Sequence, residues 1–291
     1  MALLFFASLL WSLSFALIGA NDIDPNLLTA ARLGLAFIAF APLTFSRRAV
    51  RKPGKLRAAQ LVAIGALQYG LMYFLVHKAY GFLEGHEVAL LTITTPLYVV
   101  FFEGYVTRHP PARVWGAAAL AVAAAFVLRR DFLGDDLGGA SYWKGVGLVQ
   151  GANLAWAAGL VLYRKLESPS TATPGRFGWM FLGGFLFAAP IAIGTVSASD
   201  LQLTAREVGV ITYLGLIPSG LAFFLWNRGA TQVGVGSLAV MNNLKVPLAV
   251  TVALAPPFSE PAEPWPLATS FALLAAALIL GTRGSGQRSP D

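Results

Sequence analysis

The strongest chemical signal in the sequence is a cation inside an apolar stretch. Lys245 lies near the centre of residues 233–255, and Asn242 lies one helical turn before it. If this stretch spans a membrane, the ammonium group costs about 2.5–3.5 kcal/mol unless it is solvated or paired. It could hold a substrate carboxylate in a hydrated cavity, or it could be neutralised by a structural pair or by backbone carbonyls.

Two prolines accompany the polar residues. Pro247 follows Lys245, and Pro96 lies in an earlier stretch, 86–107. Proline removes a backbone donor and frees a carbonyl in the preceding turn. That carbonyl could accept a hydrogen bond from a substrate ammonium, although a kink that serves only packing is equally compatible with the pattern.

Four polar-tipped rings share one helical face in residues 58–80. Tyr69, Tyr73, His77 and Tyr80 follow the spacing i, i+4, i+8 and i+11. Tyrosine can line a pocket for an apolar group while its hydroxyl stays hydrated, so the stripe is typical of a cavity wall. The alternative is an aromatic belt at the membrane interface, which fits Tyr80 better than the more central tyrosines.

Other candidates for substrate contact lie in three further stretches. They are Thr92, Thr95 and Tyr98 beside Pro96, Asn153 and Trp156 in residues 143–163, and Trp11 in residues 2–20. An amide beside an aromatic ring suits a small-molecule pocket. Each threonine could equally serve helix packing, and Trp11 could pack between helices.

The sequence lacks the usual groups for catalysis or metal binding. It contains no Cys and only three His, which excludes disulfides and thiolate chemistry. Most acidic residues lie between the apolar stretches, and no nucleotide-binding P-loop occurs. We therefore expect neither an enzyme, a metal site nor a cofactor.

Composition indicates the elements that carry these residues. Only 12% of the 291 residues are charged and 56% are apolar, whereas a soluble domain has about 25% charged residues. Apolar runs of about 20 residues are long enough for membrane helices and too long for barrel strands. The sequence predicts an all-α, polytopic membrane protein of ten transmembrane helices: 2–20, 25–45, 58–80, 86–107, 113–129, 143–163, 177–196, 207–227, 233–255 and 264–282.

Basic residues predict the orientation. One set of loops and helix ends contains 14 Lys and Arg, and the alternate set contains four. Because cytoplasmic loops retain basic residues, both termini are expected in the cytoplasm of a bacterial inner membrane. The net charge of +7 is then a topology signal that implies no nucleic acid partner.

The two halves of the chain resemble each other. Residues 79–99 align without a gap on 230–250, which pairs Pro96 with Pro247, and Trp11 corresponds to Trp156. An odd number of helices in each half forces opposite insertion, so we expect two five-helix inverted-topology repeats, 1–140 and 141–282, with a midplane site between them. Residues 283–291 are expected to form a disordered cytoplasmic tail.

Several motifs in this order resemble the drug/metabolite transporter superfamily, in particular its EamA-type ten-helix exporters. They are LLWSLSF at residues 9–15, LTAARLGLAF at 28–37, TPLYVV at 95–100 and KVPLAV at 245–250. The acid that usually follows the fourth-helix proline by about 13 residues is missing, so no role passes to Glu103. The richness in Tyr and Trp looks most like the YddG-type exporters of aromatic amino acids.

The resemblance implies alternating access around a central cavity. We expect a secondary transporter that exports small amphipathic metabolites, foremost aromatic and other apolar amino acids, as a monomer or weak dimer in the lipid bilayer. A membrane-embedded enzyme acting on lipid or lipid-linked substrates, or a non-saturable channel, remains the alternative. Arg32 is expected to tie helices together through carbonyls or through Glu84 or Glu87.

Overall fold

Helices make up all the regular structure in the residues that the computed structural model describes, namely 1–19, 23–46, 52–83, 88, 91–107, 110–127, 140–254 and 264–282. We number them α1 (Ala2–Gly19), α2 (Pro25–Phe45), α3 (Lys55–Ala79), α4 (Thr95–Thr107), α5 (Ala112–Val127), α6 (Ala140–Leu166), α7 (Pro174–Thr195), α8 (Ala205–Ala230), α9 (Val235–Leu254) and α10 (Pro264–Thr282). The predicted all-α class is confirmed. The predicted tail, 283–291, lies outside the described residues. So do Glu84 and Glu87, the two acids suggested as partners of Arg32.

Helix starts follow the local sequence. The Asp24 carboxylate accepts hydrogen bonds from the backbone N–H groups of Asn26 and Leu27, and Pro25 occupies the first turn of α2. Proline is suited to this position because its missing N–H would have no partner there. At the start of α8, Thr204 and Glu207 form a reciprocal capping box.

Two helices contain a widened turn. The hydrogen-bond pattern becomes π-helical at Ala66–Leu71 in α3 and at Gly215–Ala222 in α8. Pro218 lies inside the second segment and lacks the N–H that a regular helix needs there. Such bulges often occur at functional sites, because they leave backbone carbonyls available to other groups.

Six of the described helices are long and apolar enough to cross a membrane. They are α2, α3, α6, α7, α8 and the part of α10 from Trp265 to Thr282. Ala2–Ser12 and Ala112–Val127 are shorter apolar segments. Helices satisfy their own backbone hydrogen bonds in lipid, and this composition is that of a multi-pass membrane protein.

Glycines bring α3 and α7 into close contact. A Cβ atom on Gly65 would collide with the backbone carbonyl of Met180, and one on Gly183 would collide with that of Val62. Small residues of this kind let membrane helices approach closely where no hydrophobic effect drives them together. The contact fixes α3, which carries Tyr69, Tyr73 and His77.

Contacts between helices define their relative directions. In α2 and α7, Asn26 bonds to Thr195 while Leu43 and Thr44 lie against Gly175 and Gly178, so these helices are antiparallel. The pair α4 and α9 is also antiparallel, because Ile93, just before α4, contacts Val246 while Val100 packs with Ala239. By contrast, α1 runs parallel to α9, since Ser8 bonds to the carbonyl of Met241 and Trp11 lies below Lys245.

Candidate functional site

A cluster of large rings lies where α1, α3, α6 and α8 meet. The Trp11 ring centroid is 5.8 Å from that of Trp156, 5.4 Å from Phe223 and 5.1 Å from Trp226. Tyr69 stacks on Phe223 at 4.6 Å with the planes 3° apart. We call these five residues the aromatic cluster. It unites three candidates from the sequence, Trp11, Tyr69 and Trp156, with two from α8 that the sequence did not single out.

Lys245 borders the aromatic cluster. Its Nζ atom lies 5.9 Å from the centroid of the Trp11 ring, within the range of a cation–π interaction. Of the ion pairs between described residues, none involves Lys245. The Trp11 indole is itself held in place, because its Nε1–H donates to the carbonyl of Pro218 at 3.0 Å. The ammonium therefore faces an aromatic surface with no described carboxylate against it.

The two amides before Lys245 have different environments. Asn243 donates from Nδ2 to the carbonyls of Ile93 at 2.8 Å and Ala121 at 2.9 Å, which ties α9 to the start of α4 and to α5. Asn242 is buried and its Oδ1 has no hydrogen-bond donor in the described part of the chain. Asn242 thus offers a free acceptor near the ammonium, whereas Asn243 serves packing.

The tyrosine stripe of α3 spreads over three environments. Tyr69 belongs to the aromatic cluster and its hydroxyl accepts from Asn227 Nδ2 at 2.7 Å. The Tyr73 hydroxyl accepts from Arg32 Nη2 at 3.0 Å, and the Tyr73 ring stacks on His77 at 6.0 Å. Tyr80 is 45% exposed at the end of the helix. The structure thus joins Tyr69 to Trp11 and leaves Tyr80 at the surface.

A small cavity lies beside His77. Its volume is about 10 Å³, and its polar lining comes from Asn26, Thr29 and His77. That is about the space one water molecule needs. A His77 ring nitrogen and the Thr29 hydroxyl are 3.0 Å apart. Asn26 lies in the first turn of α2. The polar part of this cavity is therefore near the end of the helix bundle where α2 begins.

A closed hydrogen-bond network joins α4 to α6. Asn153 donates from Nδ2 to the carbonyl of Leu91 at 2.9 Å and accepts from the Thr95 hydroxyl at 3.1 Å. Tyr98 donates to Gln150 Oε1 at 2.9 Å. Thr92 lies in a 3-10 turn and its carbonyl accepts from Thr95. Since Asn153 already has partners on both sides, this region is organised by its own contacts.

The two prolines also differ in position. Pro96 lies in the first turn of α4, directly after the 3-10 turn. Pro247 lies inside α9, and its carbonyl accepts from the Thr251 hydroxyl. Pro247 is therefore in a helix interior beside Lys245, whereas Pro96 is at the junction between two helical segments.

Two buried ion pairs lie away from the aromatic cluster. Arg164 Nη1 contacts Glu103 Oε2 at 3.1 Å and Arg164 Nη2 donates to the carbonyl of Val233 at 2.9 Å. Arg176 Nε donates to Glu167 Oε2 at 3.0 Å. These arginines have their compensating carboxylates. Among the described residues no three His, Asp or Glu come together as a metal site would require.

Sequence reasoning missed several residues of this region. Asn227 links Tyr69 to Gln68, and Ser219 accepts from Arg32 Nε at 3.0 Å. Gln68 Oε1 is buried without a donor in the described chain. The available signal was the proline inside residues 207–227, since Pro218 marks the irregular segment that presents Ser219.

Comparisons with known proteins agree with this architecture. Residues 1–130 match the EamA-like transporter family. The chain is 34% identical to a biotin transporter of Salmonella typhimurium, covering 99% of this chain and 95% of the relative. It is 34% identical to a biotin transporter of Escherichia coli K12 over 96% of this chain and 91% of the relative. A probable biotin transporter of Pseudomonas aeruginosa is 35% identical over 87% of this chain and 88% of the relative.

A solved crystal structure supports the fold. It covers 97% of this chain and 96% of its own, with a TM-score of 0.77 and 22% sequence identity. At this identity the likeness concerns the fold alone. The full-length relatives carry the family assignment, and they share a transport function in their names. The chain therefore belongs to the EamA family of the drug/metabolite transporter superfamily and is a multi-pass membrane transporter.

Proposed function

We propose that this transporter moves a small monocarboxylate with an apolar ring, of which biotin is the leading example, by secondary transport. The observation that carries this proposal is Lys245, whose ammonium lies 5.9 Å from the Trp11 ring without a described carboxylate partner. A substrate carboxylate would supply the missing charge. The relatives named as biotin transporters make biotin the first compound to test.

The groups around the ammonium match the other parts of biotin. Its thioether ring and alkyl chain are apolar, and the rings of Trp11, Trp156 and Phe223 offer such a surface. Its ureido group carries N–H donors, which need acceptors when they leave water. Asn242 Oδ1 and Gln68 Oε1 are buried acceptors without described donors. A monocarboxylate with a polar head at the other end therefore suits this region.

Aromatic amino acids, expected from the sequence, share the carboxylate and the ring. They also carry an ammonium group, whose desolvation requires a carboxylate or several carbonyls. The described buried carboxylates, Glu103 and Glu167, are already paired with arginines. This difference favours a substrate without an ammonium group over a zwitterion.

The proposed mechanism is alternating access between two inverted halves, 1–140 and 141–282, with all ten helices crossing the membrane. The helix contacts support it. The first helix, α1, packs on α8 and α9, while its counterpart α6 packs on α3 and α4. Counterparts α2 and α7 are antiparallel, as are α4 and α9. When the alignment of residues 79–99 on 230–250 is extended towards the N-terminus, the π-helical segment of α3 also falls on that of α8.

The natural absence of cysteine allows a direct test of the orientation. In the proposed topology, with both termini in the cytoplasm of the inner membrane, residue 170 is cytoplasmic and residue 199 is outside. Both serines are exposed. In spheroplasts, a membrane-impermeant maleimide should label Ser199→Cys before lysis and Ser170→Cys only after it. Labelling of both or neither before lysis would overturn the inverted arrangement.

Transport is tested in proteoliposomes loaded with unlabelled biotin. Wild-type protein should accumulate radiolabelled biotin by saturable exchange, in assays run in both directions. Lys245→Gln should raise the KM for biotin about 10- to 100-fold, as expected for losing a charge-assisted contact. The matched control is Lys165→Gln, at an exposed lysine outside the aromatic cluster.

Three results would contradict the proposal. Linear, unsaturable flux would indicate a channel. Exchange of phenylalanine or tyrosine, but not of biotin, would return the substrate to aromatic amino acids. An unchanged KM in Lys245→Gln would remove Lys245 from the binding site.

A further inference from the structure

A buried cation, Arg32, borders the same cluster, and the proposed transport reaction does not yet use it. Arg32 lies two turns into α2 and is only 5% exposed. Its Nε donates to the Ser219 hydroxyl at 3.0 Å and its Nη2 donates to the Tyr73 hydroxyl at 3.0 Å. A guanidinium has five N–H donors, so most of its capacity remains available.

The described partners of Arg32 are neutral. Two hydroxyls and the Tyr73 ring, whose centroid is 5.0 Å from Cζ, surround the guanidinium. Hydroxyls and a ring face satisfy part of its hydrogen bonding but do not cancel its charge, and a buried charge ordinarily requires a counter-charge. Arg164 and Arg176 have such counter-charges in Glu103 and Glu167. The position of Arg32 therefore suits an anion that arrives from outside the protein.

Arg32 and Lys245 are both connected to the aromatic cluster. Ser219, which holds Arg32, is adjacent to Pro218, whose carbonyl holds the Trp11 indole. The Lys245 ammonium lies over the ring of the same indole. Tyr73 is also 6.3 Å from Phe223, a member of the cluster. Both cations are therefore linked to the aromatic cluster through residues that contact Trp11 or Phe223.

The water-sized cavity lies beside His77, close to the groups that contact Arg32. Asn26, Thr29 and His77 supply its polar lining, and Gly70, Phe74, Phe187, Ala188 and Ile191 supply the rest. His77 stacks on Tyr73, the residue that accepts from Arg32. Polar groups therefore continue from the start of α2 to the guanidinium.

We propose that Arg32 forms a second carboxylate subsite, which the substrate occupies between the membrane face where α2 begins and the Lys245 subsite. This inference rests on the proposed monocarboxylate transport. Both guanidinium edges of an arginine can bind a carboxylate through two parallel hydrogen bonds, so Arg32 gives directional recognition where Lys245 gives a point charge. A carboxylate at Arg32 would compete with Tyr73 and Ser219 for its donors and free their hydroxyls.

The test compares biotin with biotinamide, in which a neutral carboxamide replaces the carboxylate. We call the membrane face where α2 begins the α2-start face, and in the proposed topology it is the outer face. Right-side-out spheroplasts present this face to added substrate, and inverted vesicles present the other face. In spheroplasts, Arg32→Gln should raise the KM for biotin about tenfold, as for a lost charge-assisted contact, and change that for biotinamide less than twofold. Arg32→Lys, which retains the charge without the planar geometry, should fall between wild type and Arg32→Gln. In inverted vesicles the effect of Arg32→Gln should be smaller.

A purely structural role makes different predictions. Loss of packing would reduce transport of biotin and biotinamide by the same factor, from both faces, and that result would overturn the subsite. An Arg32→Gln variant that keeps the wild-type ratio of the two KM values would also overturn it. If Arg32→Gln fails to fold, Arg32→Lys carries the test, because a selective rise in the KM for biotin from the α2-start face is still required.

Failure of the inference is distinguishable from failure of the proposed function. The function fails if wild-type protein exchanges no biotin or if Lys245→Gln leaves its KM unchanged. The proposed subsite is refuted if Lys245→Gln raises the KM for biotin as expected while Arg32→Gln keeps the wild-type ratio of the KM values for biotin and biotinamide. Lys165→Gln controls for the loss of an exposed positive charge at a distant position.

Discussion

In the described part of the chain, two regions that place cations within helices differ in whether a carboxylate contacts them. Away from the aromatic cluster, Arg164 contacts Glu103 and Arg176 contacts Glu167. At the cluster, Lys245 lies over Trp11 and Arg32 donates to two hydroxyls. The residue types are similar and all four lie in apolar helices. What distinguishes the regions is a carboxylate, which the protein supplies in the first and, in the proposed mechanism, the substrate supplies in the second.

The region of the two ion pairs, Glu103–Arg164 and Glu167–Arg176, which we call the paired region, also joins distant parts of the chain. Glu103 lies in α4, Arg164 lies in α6, and the same arginine donates to the carbonyl of Val233 between α8 and α9. Arg228 donates to the carbonyl of Ala172 between α6 and α7. These contacts hold separate segments together, so this region serves cohesion, whereas the aromatic cluster serves binding in the proposed mechanism.

Breaking the paired region should have the largest effect. Glu103→Met leaves Arg164 buried without this carboxylate and should lower the free energy of unfolding by about 3–5 kcal/mol. Thermal and denaturant unfolding in detergent would measure the loss. The double variant Glu103→Met with Arg164→Met removes both charges and should recover most of the stability. Full stability in the single variant would show that the ion pair contributes nothing.

Replacing a cation at the aromatic cluster by Met should raise the free energy of unfolding, whereas Glu103→Met should lower it. Lys245→Met removes a cation that has no described counter-charge, so the free energy of unfolding should rise by about 2 kcal/mol, within the cost of a cation in a membrane helix. Biotin exchange should be lost at the same time. A loss of stability as large as that of Glu103→Met would instead reveal a structural partner for Lys245.

The network between α4 and α6 should behave like the paired region, with a smaller effect. Asn153→Ala removes its hydrogen bonds to the carbonyl of Leu91 and to the Thr95 hydroxyl, although both groups keep other described partners, and should lower the free energy of unfolding by about 1–2 kcal/mol. The ratio of KM values for biotin and biotinamide should not change. A rise in both KM values without loss of stability would place Asn153 in the substrate site, as the sequence suggested.

The smallest effect is expected for the ring beside Lys245. Trp11→Phe removes the hydrogen bond to Pro218 and weakens the cation–π contact, which together correspond to about 1 kcal/mol, or about a fivefold rise in the KM for biotin. Trp143→Phe, at a tryptophan that is 60% exposed in α6, is the matched control. Equal effects of the two substitutions would remove Trp11 from the site.

Patterns along the chain predicted the features that depend on neighbouring residues. Asp24 and Pro25 predicted the start of α2, and the apolar runs predicted helices, because both follow from local backbone geometry and from the solvent. The correspondence between Trp11 and Trp156 also predicted a shared environment, and their rings lie 5.8 Å apart. The names of the relatives, in turn, led to the proposal of biotin, which the richness in Tyr and Trp did not suggest.

The helical stripe shows where such patterns end. Periodicity placed Tyr69, Tyr73, His77 and Tyr80 on one face, but a face says nothing about which helix covers it. Tyr69 meets Asn227, Tyr73 meets Arg32, and Tyr80 is exposed. The π segment within α3 also includes Tyr69, and its widened turn was not apparent from the spacing.

The sequence by itself determined that this chain forms apolar helices in a membrane and that one apolar stretch carries a cation, Lys245, near its centre. Both are properties of single segments, set by hydrophobicity and charge. Only the tertiary structure decided that Arg164 would receive a carboxylate while Arg32 would receive hydroxyls from Ser219 and Tyr73. Such partners lie on other helices, and the packing of helix surfaces in three dimensions, which no local periodicity encodes, determines which cation remains available to a substrate.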